Sequence, residues 1–323
     1  MLTVMNLMVN ENSVSRSTLL NHLRKNSDPL SGTDLGGILG ISRVAVRKHI
    51  LRLAKEGFVI ESGRKGYRLL SEPEFPSPSE YDSGTIHIQN EVESTMEEAS
   101  RNSLRNCEDI QFYLARRQKA GRGRNRKSWV SPDGGLYLTA AFRPRLPAAY
   151  ISLYIIETGL ALVDSLREHY GVDCRFRWPN DLFVNEKKLG GLLLEVSGPA
   201  ESPDHAFLGL GLNVLSSVHF SETGDRRVTC LQNEIPGGGR DLPDLKTLFE
   251  TLKPVIESSL GMIEADKVRK HWRARTSTQG KVMRIDDTDY TVRNLALNGS
   301  LIVADKDGTL YEIAPGPRIM GPR

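Results

Sequence analysis

Cysteine is scarce: Cys107, Cys174 and Cys230 are isolated, odd in number and without Cys-x-x-Cys spacing. That excludes a disulfide framework and a zinc knuckle and fits a reducing compartment. Charge of one sign is scarce as well, with 43 Lys and Arg against 40 Asp and Glu and a net charge of +3. A wholly basic nucleic-acid coat is excluded, so any DNA contact is local. No basic region followed by an apolar stretch opens the chain, and no segment carries the roughly 18 apolar residues needed to span a bilayer. The expectation is a cytoplasmic protein with no membrane partner. Neither a Gly-x-x-x-x-Gly-Lys-Ser/Thr run nor a Gly-x-Gly-x-x-Gly run after a strand is present, so the usual kinase and dinucleotide readings fail.

What is present divides the chain into segments. Residues 71–81 begin with Ser-Glu-Pro-Glu-Phe-Pro-Ser-Pro-Ser-Glu and read as a linker after a first domain of residues 1–70. In that domain Leu19, Leu20 and Leu23 suit one face of a short helix, and a second helix is expected from Thr33 to Leu39 before a tight turn at Gly40. Ser42 then reads as an N-cap. Val46, Ile50 and Leu53 fall on one stripe and leave Arg43, Arg47, Lys48 and Arg52 largely outward, the composition of a recognition helix. Two short strands flank Ser-Gly-Arg-Lys-Gly at 62–66, so that Arg64 and Lys65 sit on a basic hairpin suited to a phosphate backbone. A lone basic stripe is more often a solvated face. Turn, cap and wing together make a winged helix-turn-helix, with Ser42, Arg43, Arg47, Lys48, Arg64 and Lys65 as the DNA-binding candidates.

Residues 277–323 hold four short strand candidates, Lys281–Ile285, Tyr290–Leu295, Leu301–Ala304 and Leu310–Ile313, with turns at Asn298-Gly299 and Asp307-Gly308. This is a small all-β barrel read as a packing or docking module. The chemistry belongs to residues 82–276, where Leu153, Ile156, Leu160, Val163 and Leu166 mark a buried helix ending before Gly171. Strands are expected at Leu136–Phe142, Leu192–Val196 and Ala206–Val214, which makes the domain mixed α/β.

Within it, Gly121-Arg122-Gly123-Arg124 is a flexible cationic loop whose glycines let the backbone approach an anion and whose arginines offer forked donors. Alone it is weak, since exposed basic loops are common. Trp178-Pro179-Asn180-Asp181 is more specific, and Lys188 follows at the start of Lys-Leu-Gly-Gly. Along the last strand, Phe207, Gly209, Gly211 and Asn213 share one face, and the two glycines leave room for a ligand.

These motifs resemble those of biotin–protein ligases. In that family a Glu-Ser-Thr stretch, a Gln-x-Ala-Gly-Arg-Gly-Arg loop ending in Trp-x-Ser, a Lys-Trp-Pro-Asn-Asp motif, a Lys-Leu-x-Gly-Ile-Leu strand and a Gly-x-Gly-x-Asn strand recur in this order. Here they stand as Glu93-Ser94-Thr95, Gln118 to Arg124 with Trp129-Val130-Ser131, Arg177 to Asp181, Lys188 to Leu193, and Gly209 to Asn213. With the N-terminal module and the C-terminal barrel, the chain is similar to the bifunctional ligase–repressor form. The resemblance implies a multidomain α+β protein: a winged helix-turn-helix, a central mixed α/β ligase domain of the biotin/lipoate type, and a small SH3-like β-barrel.

The resemblance also implies the chemistry. Biotin and ATP give biotinyl-adenylate and pyrophosphate, and a lysine of an acceptor, a biotin carboxyl-carrier protein or carboxylase domain, then takes the biotin. Lys188, Arg122, Arg124 and Asp181 form the implied catalytic set, the cations offsetting repulsion between carboxylate and α-phosphate. Ser94, Thr95, Met96, Gln118, Arg122, Gly123, Arg124 and Lys188 are the implied biotin contacts. Gly121, Trp129, Asn180 and Asn213 are the implied adenylate contacts, with 121–129 closing as a lid. Asn180 and Asp181 serve metal, phosphate or acceptor-lysine positioning. Mg²⁺ is expected with ATP, carried by its phosphates and with no dedicated protein metal site. Operator DNA and a ligand-promoted homodimer are the further implied partners.

The chain departs from the family pattern at four places: Met96 for a common Asn, Asn125 within 124–128 for a common Gly, Arg177 for a usual Lys, and Gly316-Pro317-Arg318 for a Gly-Glu-Val-like turn. Competing readings are a lipoate-type acyl-adenylating ligase and a biotin-sensing DNA-binding regulator without transfer activity.

Overall fold

The computed structural model describes residues 16–81, 84–102, 109–199, 201–215, 228–285 and 287–315, the side chain of Arg126 excepted. Cys107 and Gly316 to Arg318 lie outside the described residues. Two compact units meet in sequence after Ile88.

In the first unit a helix over residues 16–25 (α1) precedes α2 (Gly32–Leu39), α3 (Arg43–Lys55), β1 (Val59–Gly63) and β2 (Gly66–Ser71). Leu19, Leu20 and Leu23 share one core with Leu35, Val46, Ile50, Leu53 and Phe58, as the periodicity predicts. The helix ends are chemically specified. Ser31 Oγ accepts from the Asp34 amide, Ser42 Oγ accepts from the Ala45 amide, and Gly40 closes α2 in the left-handed region at φ 65°. β1 and β2 pair antiparallel around a two-residue tip, Arg64-Lys65, tighter than the 62–66 expected.

Ser71 to Tyr81, expected to be a linker, is packed onto this unit instead. Phe75, Ser77 and Ser79 are buried. Ser77 starts a 3₁₀ turn (Pro78–Glu80) in a capping box with Glu80. Glu56 accepts from Ser77 Oγ at 2.5 Å and from the Ser79 amide at 3.2 Å, while Arg24 is paired with both Glu72 and Glu80. The acids that make the stretch look solvated are counter-ions for a distant arginine.

The second unit is built on a seven-stranded sheet. Its strands are β3 (Ile86–Val92), β4 (Gln111–Gln118), β5 (Gly135–Phe142), β6 (Cys174–Arg177), β7 (Asp181–Val184), β8 (Lys187–Ser197) and β9 (His205–Asn213), in the order β3-β4-β5-β9-β8-β7-β6. Pairs from β4 to β6 along this order are antiparallel. β8 begins at Lys187, five residues before the expected Leu192, so Lys188 lies within the strand.

Alternation along β9 sorts the layers. Leu208, Leu210 and Leu212 face α5 (Ser152–Tyr170) and its partners α7 (Leu245–Ser259) and α8 (Ala265–Arg275). Gly159 of α5 sits so close to Phe176 and Leu192 that an added Cβ would collide with the Phe176 ring. Gly209 and Gly211 face the other way, toward α4 (Thr95–Asn102). Ala148–Tyr170 is apolar and long enough, by length and composition alone, to cross a membrane; here 61 % of its apolar window is buried inside the fold. It is a core helix whose Glu157 and Asp164 face His271 of α8, and Asp164 also binds Arg275.

The C-terminal strands β10 (Val282–Ile285), β11 (Thr288–Leu295), β12 (Leu301–Ala304) and β13 (Leu310–Ile313) form an antiparallel meander. This is the small C-terminal β domain expected, its described strands joined in one four-stranded antiparallel sheet. Trp178 anchors it: the indole is buried and its Nε1 donates to the Gly299 carbonyl at 2.9 Å. The Trp178 amide donates to Thr278 Oγ1, and Ser152 Oγ to the Asn298 carbonyl. The tryptophan of the Trp-Pro-Asn-Asp motif is thus an interdigitating support, and the Trp178–Pro179 peptide is cis.

Candidate active site

Across the sheet, Tyr137, Gly211, Gly191 and Asp181 are directly paired neighbours on four successive strands. The two central positions have no side chain, so the sheet presents bare backbone there. Trp129 covers Gly211, where an added Cβ would stand 2.5 Å from Cε2 and Nε1. Lys188 and Asp181 cover Gly191, with the lysine Cε and Nζ 3.4 Å and Asp181 Oδ1 3.1 Å from an added Cβ. Lys188 Nζ is 2.6 Å from Asp181 Oδ1 and 5.0 Å from the Trp129 ring centroid. Both charges are largely shielded from water, which strengthens the pair and the cation–π contact alike. The room expected over Gly209 and Gly211 is therefore taken up by Met96 and Trp129 of the chain itself, and that over Gly191 by Lys188 and Asp181. Gly191 was not singled out from the sequence; its signal was its place in Lys-Leu-Gly-Gly, legible only once register aligned it with Gly211.

Two residues back along β9, Gly209 faces Met96, which is buried with Ala99, Tyr113, Ala141 and Phe207. Met96 is a core residue in this arrangement. Beside it, Ser94, Thr95 and Gln118 come together. Gln118 Oε1 accepts from the Thr95 amide at 2.8 Å and from Thr95 Oγ1 at 3.1 Å, and its Nε2 donates to Ser131 Oγ at 2.9 Å. Thr139 Oγ1 donates to Thr95 Oγ1 at 2.9 Å. Gln118 thereby caps the N-terminus of α4 from another strand, satisfying an amide that the helix leaves unpaired. Thr139 was missed in the sequence because nothing in its spacing ties it to Thr95, and Ser131 stood in the Trp-x-Ser motif without a role. Ser94 Oγ and Trp129 Nε1 are buried without a hydrogen-bond partner among the described residues. Buried polar atoms are ordinarily satisfied, so these two suit a ligand that brings its own donors and acceptors.

The cationic run from Gly121 to Trp129 is a folded hairpin rather than an open loop. Trp129 N donates to Gly121 O at 2.8 Å, Gly123 N to Lys127 O at 2.7 Å and Lys127 N to Arg124 O at 3.1 Å. The Gly123 amide expected to face a ligand is thus committed inside the hairpin. Asn125 occupies the left-handed region at φ 56°, a conformation asparagine tolerates better than other side-chain-bearing residues, so it replaces the family's glycine without loss of the turn. Arg124 donates to Asn180 Oδ1 at 3.3 Å and to the Pro315 carbonyl at 3.2 Å. Burial pulls the Arg124 guanidinium below its ordinary value, and the Asp181 charge opposes that shift. Asn180 Nδ2 in turn donates to the Leu192 carbonyl at 2.6 Å, so Asn180 ties the arginine to β8. Arg122 points to Glu195 at 3.4 Å.

A cavity of about 580 Å³ lies here, lined among others by Arg122, Arg124, Leu193, Glu195 and Pro315. Pro315 and Glu195 are site residues that the sequence reading missed. Asn213 is buried and donates from Nδ2 to the Thr229 carbonyl at 3.0 Å, which makes it a strand-end clasp. Arg177 is drawn to Glu186 at 2.7 Å and stacks on Phe183.

Residues 90–213 match the Biotin/lipoate A/B protein ligase family, and residues 15–68 match an HTH domain. The chain is 30 % identical over 174 residues to the biotin–[acetyl-CoA-carboxylase] ligase of Paracoccus denitrificans, covering 53 % of this chain and 72 % of that relative. The chain belongs to the biotin–protein ligase family. It is also 32 % identical over 214 residues to the bifunctional ligase/repressor BirA of Bacillus spizizenii, covering 62 % of this chain and 66 % of the relative. Across the BirA proteins that it matches, this biotin–protein ligase homologue spans 59–66 % of their length. Its fold is that of the Aquifex aeolicus biotin protein ligase, solved with biotin and ATP, at a TM-score of 0.57 and 24 % identity over 71 % of this chain and 95 % of that one.

Proposed function

We propose that the protein is an ATP-dependent biotin–protein ligase that also binds DNA as a biotin-responsive repressor. The observation that carries the first half is the Trp129 indole seated on Gly211 beside the Lys188–Asp181 pair seated on Gly191. An indole seated on a glycine offers its other face to an adenine, and a shielded lysine beside it accepts a carboxylate or α-phosphate. Ser94, with its unpaired hydroxyl, and Thr95 and Gln118 line the ureido end. Met96 and Asn213 contribute packing and support rather than polar contact.

In the first step a biotin carboxylate oxygen attacks the α-phosphorus of ATP and pyrophosphate leaves. Lys188, Arg122 and Arg124 offset the negative charge that gathers as the two anions meet. To do so Lys188 exchanges Asp181 for the substrate, and Arg122 exchanges Glu195. In the second step the amine of an acceptor lysine attacks the acyl carbon and AMP leaves, with Asp181 and Asn180 placed to orient the amine. Mg²⁺ would come with the nucleotide phosphates. Asp181 and Glu195 are the carboxylates beside the site.

The second half rests on α3 and the wing. Arg43, Arg47 and Lys48 are exposed and have no ion-pair partner among the described residues, and the tip Arg64-Lys65 is exposed too. Unpaired cations on a capped helix and a hairpin fit a duplex backbone. The partners proposed are operator DNA, a biotin carboxyl-carrier protein or carboxylase domain, and a second copy of the chain bound in response to ligand. The proposed compartment is the cytoplasm. The test is to incubate the protein with biotin, Mg²⁺·ATP and a biotin-acceptor domain and weigh the acceptor. One biotinyl adduct is the expected product, and an unmodified acceptor overturns the ligase assignment.

A further inference from the structure

Helix α3 contains no acidic residue, and its core side is Val46, Ile50 and Leu53. The stripe directly opposite, at i, i+4 and i+7 spacing, is Val44, Lys48 and Leu51. Val44 is 66 % exposed, more than Leu51 at 54 %. A single exposed valine needs no explanation by itself. Its position supplies one: Arg43 precedes it and Arg47 and Lys48 follow one turn later, with no ion-pair partner among the described residues, whereas Arg52 is held by Glu56 at 3.4 Å. Val44 is also the second residue after the Ser42 cap, in the part of a recognition helix that reaches base edges. A β-branched apolar residue there gains nothing in helix propensity or solvation.

In the major groove the one apolar group on a base edge is the C5-methyl of thymine. Resting on the reading that the first unit binds duplex DNA, we propose that Val44 is a specificity-determining residue that packs on the C5-methyl of a thymine while Arg43, Arg47 and Lys48 hold the flanking phosphates. The cations position the helix, and Val44 distinguishes thymine from the other three bases at one step of each half-site.

The experiment is a selection of duplexes from a random library on the full-length protein with biotin and Mg²⁺·ATP. Each thymine of the selected site is then replaced singly by deoxyuridine, which removes only the methyl. One thymine per half-site is expected to lose about three- to fivefold in affinity on that change, the scale of one buried methyl. Val44→Ala is expected to keep the wild-type melting temperature and salt dependence but to bind thymine and uridine sites equally. Enriched duplexes with no methyl-sensitive thymine, or the same uridine profile for wild type and Val44→Ala, overturn the Val44 assignment alone. A library that yields no enriched duplex overturns the DNA-binding reading and this inference with it.

Discussion

The indole of Trp129 lies on the bare α-carbon of Gly211, so close that a Cβ there would stand 2.5 Å from the ring atoms Cε2 and Nε1. One methyl group at that position has to displace the tryptophan or the strand beneath it. Overpacking of this kind costs about 1–3 kcal/mol. Gly211→Ala is therefore expected to raise the KM for ATP about tenfold or more, with a smaller effect on the KM for biotin. Steady-state kinetics with each substrate varied in turn checks the split.

Lys188 and Asp181 act as a pair, and their variants differ in a predictable way. Lys188→Ala removes the cation from the reacting anions and is expected to lower adenylation by at least about 100-fold, the scale of one preorganised electrostatic contact. Asp181→Asn keeps that cation but frees it from its partner 2.6 Å away. It is expected to retain biotin-dependent adenylation while slowing transfer to the acceptor. Single-turnover measurement of each half-reaction distinguishes the two.

Gln118 caps α4 from a neighbouring strand through the Thr95 amide. Loss of a cap costs about 1 kcal/mol. Gln118→Ala is expected to lose that stability, whereas Gln118→Glu keeps the acceptor and gives up only the donation to Ser131. Urea unfolding midpoints should rank wild type above Gln118→Glu and Gln118→Ala lowest.

His271 sets a pH dependence on the packing of α8 against α5. Burial alone would lower its pKa, but hydrogen bonds and charge from Glu157 and Asp164 outweigh that and hold it above the ordinary histidine value. A raised folded value favours the protonated fold. The stabilisation is complete below the unfolded value of about 6.5 and fades as pH rises through the folded one. The stability deficit of His271→Gln should be largest at about pH 6 and shrink by about pH 9, as followed by thermal melts across that range.

The parts of this fold that were legible in sequence are those fixed by near neighbours. Ser42 caps α3 and Gly171 ends α5 because the bonding partners lie within a few residues. Strands at Leu301–Ala304 and Leu310–Ile313 fall where alternation and turns put them. The motifs placed Lys188, Asp181, Arg124 and Trp129 in one segment, and strand register with the folded 121–129 hairpin brought them together. What was not legible depends on distant partners. Glu72 and Glu80 look solvated until Arg24 arrives from another helix. Trp178 has no visible role in the sequence until Gly299 accepts its indole hydrogen. Gly191 has no meaning before it is paired with Gly211. The Gly121–Arg124 run reads as flexible because its closure uses backbone groups, which composition does not display.

The central claim is that Trp129 and Lys188, seated on Gly211 and Gly191, mark where a carboxylate and ATP meet. Exchange of labelled pyrophosphate into ATP, measured with and without biotin, tests it most directly. The account predicts exchange that requires biotin, is not supported by lipoate, and is abolished in Lys188→Ala at unchanged melting temperature. Exchange independent of biotin, or full biotin-dependent exchange in Lys188→Ala, would contradict it.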